Sequence, residues 1–329
     1  MNVSVLKSEI ARKYQKALVT GGAGFIGSHI VEELLEVGID VVSVDDFVAG
    51  KEENIAPFYS NPHFKSFKCD VTDLEELKKC FDGVDIVFHE AASKKNVCLK
   101  DPRRDLTVNG GGTFNILELT RDLKVKKIVH ASTGSVYGEA QIRPQTEEHP
   151  LCPVSYYGVS KLAGERYVKT FEQLYDIDAS ILRYFHVYGP RQESGKYGGV
   201  IAIFARQLLN NMHPTIFGDG TQERSFTYVK DVVNANLFVA VTDDTKGEVY
   251  NCASGINVTV GQMCDEMRSI LNKEELNPEY YDWTIGDIKK VSISNDKLCK
   301  MGFQFQTSFH EGLKETVKSF EIMHKAGKI

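Results

Sequence analysis

The sequence predicts an α/β fold in which a doubly wound parallel sheet is followed by a smaller, mixed α/β C-terminal lobe. Strand-like and helix-like runs alternate up to about Lys169, the pattern of parallel strands joined by crossover helices. A glycine-rich turn, GGAGFIG at 21–27, connects the first such strand to the first helix. After Gly247 the regular alternation stops, which predicts a second lobe of different construction.

The elements of the first domain follow from hydrophobic periodicity. Short apolar runs predict strands, and apolar residues recurring every three or four positions predict helices. The predicted strands cover 17–20, 39–44, 84–89, 127–132 and 181–184, and the predicted helices cover 28–37, 73–81, 108–123 and 155–170. Residues 3–14 fit either a short amphipathic helix or a frayed tail.

The boundary between the two predicted domains is diffuse, because no Ser- or Pro-rich linker marks it. Glycine, proline and aromatic residues become frequent across 188–220. We predict a first domain over 1–180, to which segments of about 185–235 partly return, and a substrate-binding lobe over 181–329.

The glycine turn has the composition of a phosphate cradle. Gly21, Gly24 and Gly27 lack Cβ atoms, which allows a tight turn, close approach of a pyrophosphate, and close packing of helix on strand. The helix that follows would supply free N–H groups and a positive dipole end. Glycine turns are common, so the motif alone leaves its function open.

An acidic pair at the end of the second predicted strand identifies the nucleotide. Asp45 and Asp46 follow the strand at the distance where an acidic side chain meets the adenosine ribose of a dinucleotide. A carboxylate there accepts a hydrogen bond from the ribose 2′-hydroxyl and repels a 2′-phosphate. The sequence therefore predicts NAD rather than NADP as the cofactor.

Composition excludes several classes of function. The formal net charge of −6, without a basic run interleaved with aromatics, argues against a nucleic-acid partner. The seven cysteines are scattered without CxxC pairs, which favours reduced thiols and a cytoplasmic location. No apolar run approaches the roughly 20 residues of a membrane span, and no signal peptide is expected. HEAAS at 89–93 lacks the second histidine of a zinc-protease motif, so no metal is expected.

Two further patterns carry candidate chemistry. Tyr157 and Lys161 are four residues apart on a predicted helix and so share one face. An adjacent ammonium would favour the phenolate and bring the phenol pKa toward working pH, making Tyr157 an acid/base group. Ser132 and Thr133 fall at the carboxyl end of a predicted strand, where ligands bind in open α/β sheets. The alternatives are a solvated helix face and a strand exit that caps backbone groups.

Together these residues resemble the extended short-chain dehydrogenase/reductase family, in its nucleotide-sugar epimerase and dehydratase branch, over nearly the whole chain. The resemblance implies a Rossmann sheet, NAD and a nucleotide-sugar substrate. The matching segments are GGAGFIGSH, VDD at 44–46, CDVTD at 69–73, FHEAASKKNV at 88–97, VNGGGTFNILE at 108–118, RYFHVYGPRQ at 183–192, GDGTQERSFTYVKDVV at 218–233 and GDIKK at 286–290.

The resemblance also implies residue roles. The implied catalytic residues are Thr133, Tyr157 and Lys161. The implied cofactor contacts are Gly21, Gly24, Phe25, Ile26, Gly27, Asp45, Asp46, Asp70, Val71, Ala91, Ala92, Lys94, Asn109, Tyr157 and Lys161. The implied substrate contacts are Ser132, Thr133, Tyr157, His186, Arg224 and Asp287. Simpler interpretations are a helix cap for Asn109, a turn former for Asp70 and a surface ion pair for Arg224.

Three positions depart from the family pattern. His186 stands where an Asn usually follows RYF, Ser225 replaces the Asp of the common RDF, and DWTIGD lacks an Arg shortly before GD at 286–287. These departures affect the expected sugar and diphosphate contacts rather than the cofactor contacts.

The residues after Thr133 favour one reaction within the branch. Dehydratases and decarboxylases of the branch usually carry an acidic residue there, whereas this chain has Gly134 and Ser135. We therefore expect an NAD-dependent 4-epimerase acting through a transient 4-keto sugar on a UDP-hexose or UDP-N-acetylhexosamine. The alternatives are a 4,6-dehydratase or decarboxylase, an enzyme of net redox that exchanges free NAD(H), and a non-catalytic NAD-binding sensor or scaffold. The resemblance further implies a homodimer that pairs the helices at about 108–123 and 155–170.

Overall fold

The computed structural model describes residues 2–93, 99–193, 199–283 and 290–329 of the chain. The strands are β1 (Lys16–Thr20), β2 (Asp40–Asp45), β3 (Phe64–Lys68), β4 (Ile86–His89), β5 (Lys127–Thr133), β6 (Ala179–Tyr184), β7 (Val187–Tyr188), β8 (Thr215–Phe217), β9 (Glu223–Ser225), β10 (Thr227–Tyr228), β11 (Val249–Cys252), β12 (Asn257–Thr259) and β13 (Glu279–Tyr281).

The α-helices flank and extend this set of strands. They are α1 (Val3–Lys13), α2 (Phe25–Glu36), α3 (Leu74–Lys79), α4 (Pro102–Leu106), α5 (Thr113–Asp122), α6 (Tyr156–Tyr175), α7 (Val200–Leu209), α8 (Val229–Val241), α9 (Val260–Ile270), α10 (Asp296–Lys300) and α11 (Phe309–Lys325). Among the described helices, none is both long and apolar enough to cross a bilayer.

Within the described ranges, seven parallel strands form the central sheet in the order β11-β6-β5-β4-β1-β2-β3. The order reverses between β1 and β4, so the carboxyl ends of these two strands flank a crevice. One face of the sheet carries α1, α2 and α8, and the other carries α3, α5 and α6. The predicted doubly wound Rossmann sheet is confirmed.

The central strands are buried on both faces, whereas the edge strand β3 is not. Ala17, Leu18 and Val19 of β1 are each 0% exposed, which is typical of a parallel strand covered by helices on both sides. Strand β3 has the sequence FKSFK and only its first residue is buried. It lacks the continuous apolar run on which strand prediction depended, and the sequence analysis therefore missed it.

A second core lies in the C-terminal part of the chain. Buried side chains of α7, α9 and α11 pack together with those of the short strands, including Phe204, Met263 and Leu313. The short strands pair as β7 with β10, β8 with β13 and β9 with β12, the last pair being antiparallel. The predicted mixed α/β lobe is thus present.

The division of the chain at residue 180 remains a prediction. Strand β11 pairs in parallel with β6 in the central sheet, although it lies beyond the segments that were predicted to return to the first domain. At the other end, the first residues form α1 rather than a frayed tail. Leu6 and Ile10 of α1 are buried in the core beside α8, and the Tyr14 hydroxyl donates to Ala240 O at 2.7 Å.

The predicted helix over 108–123 is divided into two kinds of helix. Thr107–Gly112 is π-helical and runs directly into α5. Wide turns of this kind inside α-helices are frequent at functional sites. A Cβ on Gly112 would lie 2.5 Å from Val71 Cγ2, so the glycine lets this segment lie against the chain that follows β3.

Candidate functional site

The glycine turn at 21–27 leads from β1 into α2 and is closed by backbone hydrogen bonds. The Gly21 amide donates to Val44 O at 2.7 Å, and the Gly24 amide donates to Gly21 O at 2.9 Å. Gly24 is the N-cap of α2. Because the first N–H groups of a helix lack intrahelical acceptors and lie at the positive end of its dipole, the turn presents donors suited to an anion.

The three spaced glycines, Gly21, Gly24 and Gly27, are required by close backbone contacts. A Cβ on Gly27 would lie 2.2 Å from Gly21 O, and a Cβ on Gly24 would lie 2.9 Å from the same atom. Gly21 has a φ of +66°, and a Cβ on it would lie 2.9 Å from Ala91 N. The spacing of the motif is therefore set by the turn and by its contact with the chain after β4.

The turn opens onto a cavity of about 200 Å³, which we call the glycine-turn cavity. It lies along the carboxyl ends of the central strands. Its lining includes Gly21, Gly24, Phe25, Ile26, Gly27, Asp45, Asp46, Asp70, Val71, Ala91 and Ala92. The sequence analysis named each of these residues as a cofactor contact, and the structure brings them together around one space.

Asp45 ends β2 with a buried carboxylate. Its Oδ2 accepts from the Ala23 N–H at 3.0 Å, and its Oδ1 accepts from the Phe47 N–H at 2.8 Å. These bonds fix an acidic group at the position where the ribose of a dinucleotide lies in such folds. Donors for a diphosphate at the turn and a carboxylate for ribose hydroxyls fit NAD.

Tyr157 and Lys161 lie one turn apart at the start of α6, as their spacing predicts. Ser155 is the N-cap of α6, and its Oγ accepts from the Gly158 N–H at 3.1 Å. Tyr157 is half-buried and Lys161 is buried. The helix start therefore leaves Tyr157 partly exposed and buries Lys161 one turn further on, and neither is among the described residues lining the cavities of this region.

The charge state of Lys161 is set by opposing effects. Burial lowers the pKa of its ammonium to about 8. Three carboxyl groups oppose that shift by their negative charge, namely Glu90, Glu165 and Asp105. They come from the end of β4, from α6 and from α4, so the environment of Lys161 is assembled from segments far apart in the sequence.

A second cavity of about 480 Å³ adjoins the end of β5, and we call it the Thr133 cavity. Its lining includes Thr133, Gly134, Ser135, Glu139, Ser155, Tyr184, Phe185 and His186. Residues 134–136 lie against the first turn of α6, because a Cβ on Gly158 would lie 2.6 Å from Ser135 O. Thr133 at the end of β5 therefore lies close to the first turn of α6, which carries Tyr157.

Glu90 and Tyr184 link the two cavities. Glu90 lines the glycine-turn cavity and Tyr184 lines the Thr133 cavity. The Tyr184 hydroxyl donates to Glu90 Oε1 at 2.8 Å. Burial raises the pKa of the Glu90 carboxyl to about 7, against the hydrogen bond from Tyr184 and the charge of Lys161. The sequence analysis missed both residues, although a carboxylate directly after an apolar strand was a visible signal.

Ser132, whose substrate contact remains a prediction, takes part in a buried network. Its Oγ donates to Glu165 Oε1 at 2.5 Å. Arg183 donates to the same carboxylate from Nε at 2.9 Å and from Nη2 at 2.7 Å, and from Nη1 to the Tyr137 hydroxyl at 2.8 Å. Ser132 is not among the described residues that line the Thr133 cavity, so its geometry indicates support of the site from behind.

Asn109 is likewise fully buried and ties three segments together. Its Oδ1 accepts from the Ser93 N–H at 2.8 Å, and its Nδ2 donates to Asp105 Oδ1 and Ser160 Oγ, both at 2.9 Å. These bonds join the π-helical segment to α4, to α6 and to the chain after β4. Its predicted contact with the cofactor is untested, and its observed contacts fix the position of α6.

The remaining residues predicted to contact the substrate differ in their position relative to the Thr133 cavity. His186 lines the Thr133 cavity with a φ of 35°, in the left-handed region that Asn occupies more readily than most residues. Arg224 lies on β9, where its Nη1 donates to Glu223 O at 2.8 Å, and it is not among the described residues lining that cavity. Lys94 and Asp287 lie outside the described residues.

Comparison with known proteins identifies relatives over most of the chain. The family described as NAD dependent epimerase/dehydratase matches residues 17–253. A putative UDP-glucose 4-epimerase of Methanocaldococcus jannaschii is 39% identical over 305 residues, covering 91% of this chain and 96% of that protein. The structure resembles UDP-glucose 4-epimerase of Thermotoga maritima with UDP-glucose, with a TM-score of 0.87, 35% identity and coverage of 94% and 99%. It also resembles the Thermus thermophilus UDP-glucose 4-epimerase complex with NAD, with a TM-score of 0.81, 35% identity and coverage of 93% and 99%.

The buried ion pair leads to a stability prediction. Replacing Arg183 with Met leaves the Glu165 carboxylate buried without its cation, and we expect the free energy of unfolding to fall by about 3–5 kcal/mol. Denaturant unfolding followed by circular dichroism measures this loss. A second change, Glu165→Leu in the same chain, should recover part of it because the unpaired charge is removed.

The control is an exposed ion pair between a lysine and a glutamate. Lys79 and Glu76 lie within 2.5 Å on α3, with side chains 64% and 56% exposed, and Lys79→Met should leave the unfolding midpoint unchanged. Equal losses from Arg183→Met and Lys79→Met would contradict the assignment of the Glu165–Arg183 pair as a buried structural link.

Proposed function

Because the chain belongs to the NAD dependent epimerase/dehydratase family, we propose that it is a nucleotide-sugar 4-epimerase acting on a UDP-hexose or UDP-N-acetylhexosamine. Family membership confirms the predictions that the chain is an enzyme and that NAD is its cofactor. Relatives named UDP-glucose 4-epimerase at 39% and 35% identity support a nucleotide-sugar epimerase. The particular sugar and the 4-keto route are proposed on chemical grounds.

The observation that carries the proposal is the small, neutral wall beside Thr133. A Cβ on Gly134 would lie 2.3 Å from Phe185 Cε1, so the aromatic ring leaves no space for an acidic side chain at this position. The Ser135 amide donates to Thr133 Oγ1 at 3.2 Å, which holds the next residue close to the strand end. Among the described residues that line the cavity, Glu139 is the one with a carboxylate side chain, and it is exposed to solvent.

A 4-epimerase needs fewer acid/base groups than a dehydratase. Eliminating water from a sugar requires an additional acid and base beside the keto carbon, and neither Gly134 nor Ser135 can supply one at neutral pH. Epimerisation requires the oxidised sugar to turn within the site and to be reduced on its other face. A cavity of about 480 Å³ with small residues at its base suits such a rotation.

Tyr157 is the proposed acid/base group. Its phenolate would take the proton from the sugar 4-hydroxyl and later return it, while the Thr133 hydroxyl shares a hydrogen bond with the same oxygen. Lys161, one turn further into the helix, stabilises the phenolate by its positive charge. Bound NAD supplies the redox chemistry by accepting a hydride from the sugar carbon and giving it back.

The decisive experiment is product analysis by NMR. The purified chain is incubated with UDP-, dTDP- and GDP-sugars, including hexoses and N-acetylhexosamines. We expect UDP-sugars to be converted to a mixture of 4-epimers without a net change in NADH absorbance. A 4-keto-6-deoxy product would replace the proposal with dehydration, loss of CO₂ from a uronic acid would replace it with decarboxylation, and accumulation of NADH would indicate net redox.

Removal of the Tyr157 hydroxyl tests the mechanism. Tyr157→Phe should lower turnover by about 10²–10⁴-fold, because positioned acid/base groups contribute rate enhancements of that size. NAD affinity, measured by calorimetric titration, should change little. The adjacent, 58% exposed Tyr156 provides the control, and Tyr156→Phe should retain wild-type turnover. Normal rates in Tyr157→Phe would exclude the proposed acid/base role.

We also propose that the enzyme is a homodimer that pairs α5 and α6 with their copies. Large apolar side chains are exposed on and beside these helices, including Tyr156 and Val159, which are 58% and 53% exposed. Phe114 and Tyr167 contact each other edge-on with ring centroids 5.4 Å apart, so the two helices share one apolar face. Exposed apolar faces of this kind are characteristic of protein interfaces.

Sedimentation distinguishes this interface from others. Val159→Glu places a charge on the shared face and should convert the dimer to a monomer at micromolar concentration. Met212→Glu, at a position 55% exposed in the second lobe, should leave the dimer intact. A wild-type chain that sediments as a monomer would refute the proposal, as would dissociation by the Met212 variant alone.

A cytoplasmic location is the accompanying proposal. The cysteines among the described residues are all free thiols, Cys69, Cys80, Cys152, Cys252, Cys264 and Cys299. Free thiols are typical of a reducing compartment.

A further inference from the structure

We propose that Arg104 is a positioning residue that latches the adenosine end of the bound NAD by bridging two acidic side chains that line the glycine-turn cavity. The inference deepens the proposed function, on which it rests for taking this cavity as the NAD site. Arg104 belongs to α4 and was assigned no role by the sequence motifs.

The geometry of the bridge is direct. Arg104 Nη2 lies 3.1 Å from Asp46 Oδ2 and 2.6 Å from Asp70 Oδ2. Both residues line the glycine-turn cavity; Asp46 directly follows β2, and Asp70 lies two residues after the end of β3. The guanidinium therefore spans the edge of the cavity between adjacent strand ends. The three side chains are 30%, 31% and 32% exposed, so the bridge is partly exposed to solvent and not in the core.

The backbone fixes Arg104 in this position. Asp101 caps α4, and its Oδ1 accepts from the Arg104 N–H at 2.9 Å. Helix α4 continues into the π-helical segment, in which Gly112 lies against Val71. The helix that carries the arginine is thus anchored to the same post-β3 segment that carries Asp70. The long side chain needs little reorganisation to hold both carboxylates.

The second carboxylate is itself held by its own turn. Asp70 Oδ1 accepts from the Thr72 N–H at 2.9 Å and from Thr72 Oγ1 at 2.8 Å, while Oδ2 accepts from Arg104. Asp46 Oδ1 accepts from the Val48 N–H at 2.9 Å. Both carboxylates are therefore oriented by local backbone contacts, and the arginine joins two rigid turns.

An arginine suits this place for two physical reasons. First, the acidic residues that line the cavity include Asp45, Asp46 and Asp70; their carboxylates would repel the diphosphate of a dinucleotide, and the guanidinium charge offsets part of that repulsion. Second, both ion pairs use Nη2, so they do not consume the N–H donors of Nη1 and Nε, and the planar guanidinium can stack on an aromatic ring such as adenine.

If Arg104 acts at the adenosine end, its removal should weaken the binding of those ligands that contain adenosine. Arg104→Ala should weaken NAD and ADP-ribose by a similar factor, about tenfold or more, since Asp46 and Asp70 lose the charge-assisted contacts that hold them at the adenosine end. Nicotinamide mononucleotide, which lacks adenosine, should bind the variant as it binds wild type. Arg104→Lys should fall between the two, because an ammonium retains the charge but not the planar fork.

The experiment is calorimetric titration of the full chain, freed of nucleotide, with each of the three ligands. The matched control is Arg103→Ala, which removes an exposed arginine from the neighbouring position and should not change any affinity. The melting temperatures of the nucleotide-free variants are also measured. Arg104→Ala should have the same melting temperature as the wild-type chain.

The outcomes separate the possibilities. Wild-type affinity for ADP-ribose in Arg104→Ala would overturn the latch and leave the proposed function standing. Equal weakening of all three ligands with a lowered melting temperature would also overturn it, in favour of a general structural brace. A wild-type chain that bound neither NAD nor ADP-ribose would overturn the assignment of the cavity and the latch with it.

Discussion

The bidentate ion pair between Glu165 and Arg183 is the constraint on which the arrangement of the site depends. It joins α6 to β6, and Ser132 of β5 donates to the same carboxylate. The Tyr137 hydroxyl, which accepts from Arg183, donates to Asn251 Oδ1 of β11 at 2.6 Å. Because a buried charge is tolerated only when its partner is correctly aligned, the pair fixes the distance between the helix that carries Tyr157 and the strand end that carries Thr133.

The electrostatic character of the interior follows from the same burial. His89 on β4 has its pKa lowered to about 3 by burial and by the charge of Lys161. It is therefore neutral at physiological pH, and its ring nitrogens contact the hydroxyls of Thr20 and Thr113 at 2.7 and 3.0 Å. Burial and the carboxyl groups near Lys161, rather than the imidazole, set the pKa of its ammonium. Glu90 among them has a raised pKa, so the local field changes within the physiological pH range.

Steric contacts explain why glycine stands at several positions of the sequence. Gly27, Gly112 and Gly134 each face an atom within 2.5 Å of where a Cβ would stand, and these atoms belong to Gly21, Val71 and Phe185 respectively. The first contact is local and is visible as a spaced motif. The other two contacts join segments that are distant in the sequence, and no local pattern of residues predicts them. Gly134 bears most directly on the reaction, because the aromatic ring facing it excludes a larger side chain.

The sequence by itself determined the parts of the protein that depend on local periodicity and spacing. The buried central strands, the glycine turn, Asp45 at the end of β2, and the Tyr157–Lys161 pair were all predicted, since hydrophobic runs and helical spacing are properties of neighbouring residues. The edge strands β3 and β11 were missed, because a charged or very short strand is defined by its pairing partner rather than by its own residues.

Only the tertiary structure decided which side chains face each cavity. Ser132 and Asn109 occupy motif positions, yet their polar groups satisfy buried partners from other elements. Glu90, Tyr184 and Arg104 lie outside the reasoning from motifs, and folding places them at the cavities. The physical reason is that hydrogen bonds and ion pairs between distant segments depend on sheet order and helix packing, which a linear pattern does not encode.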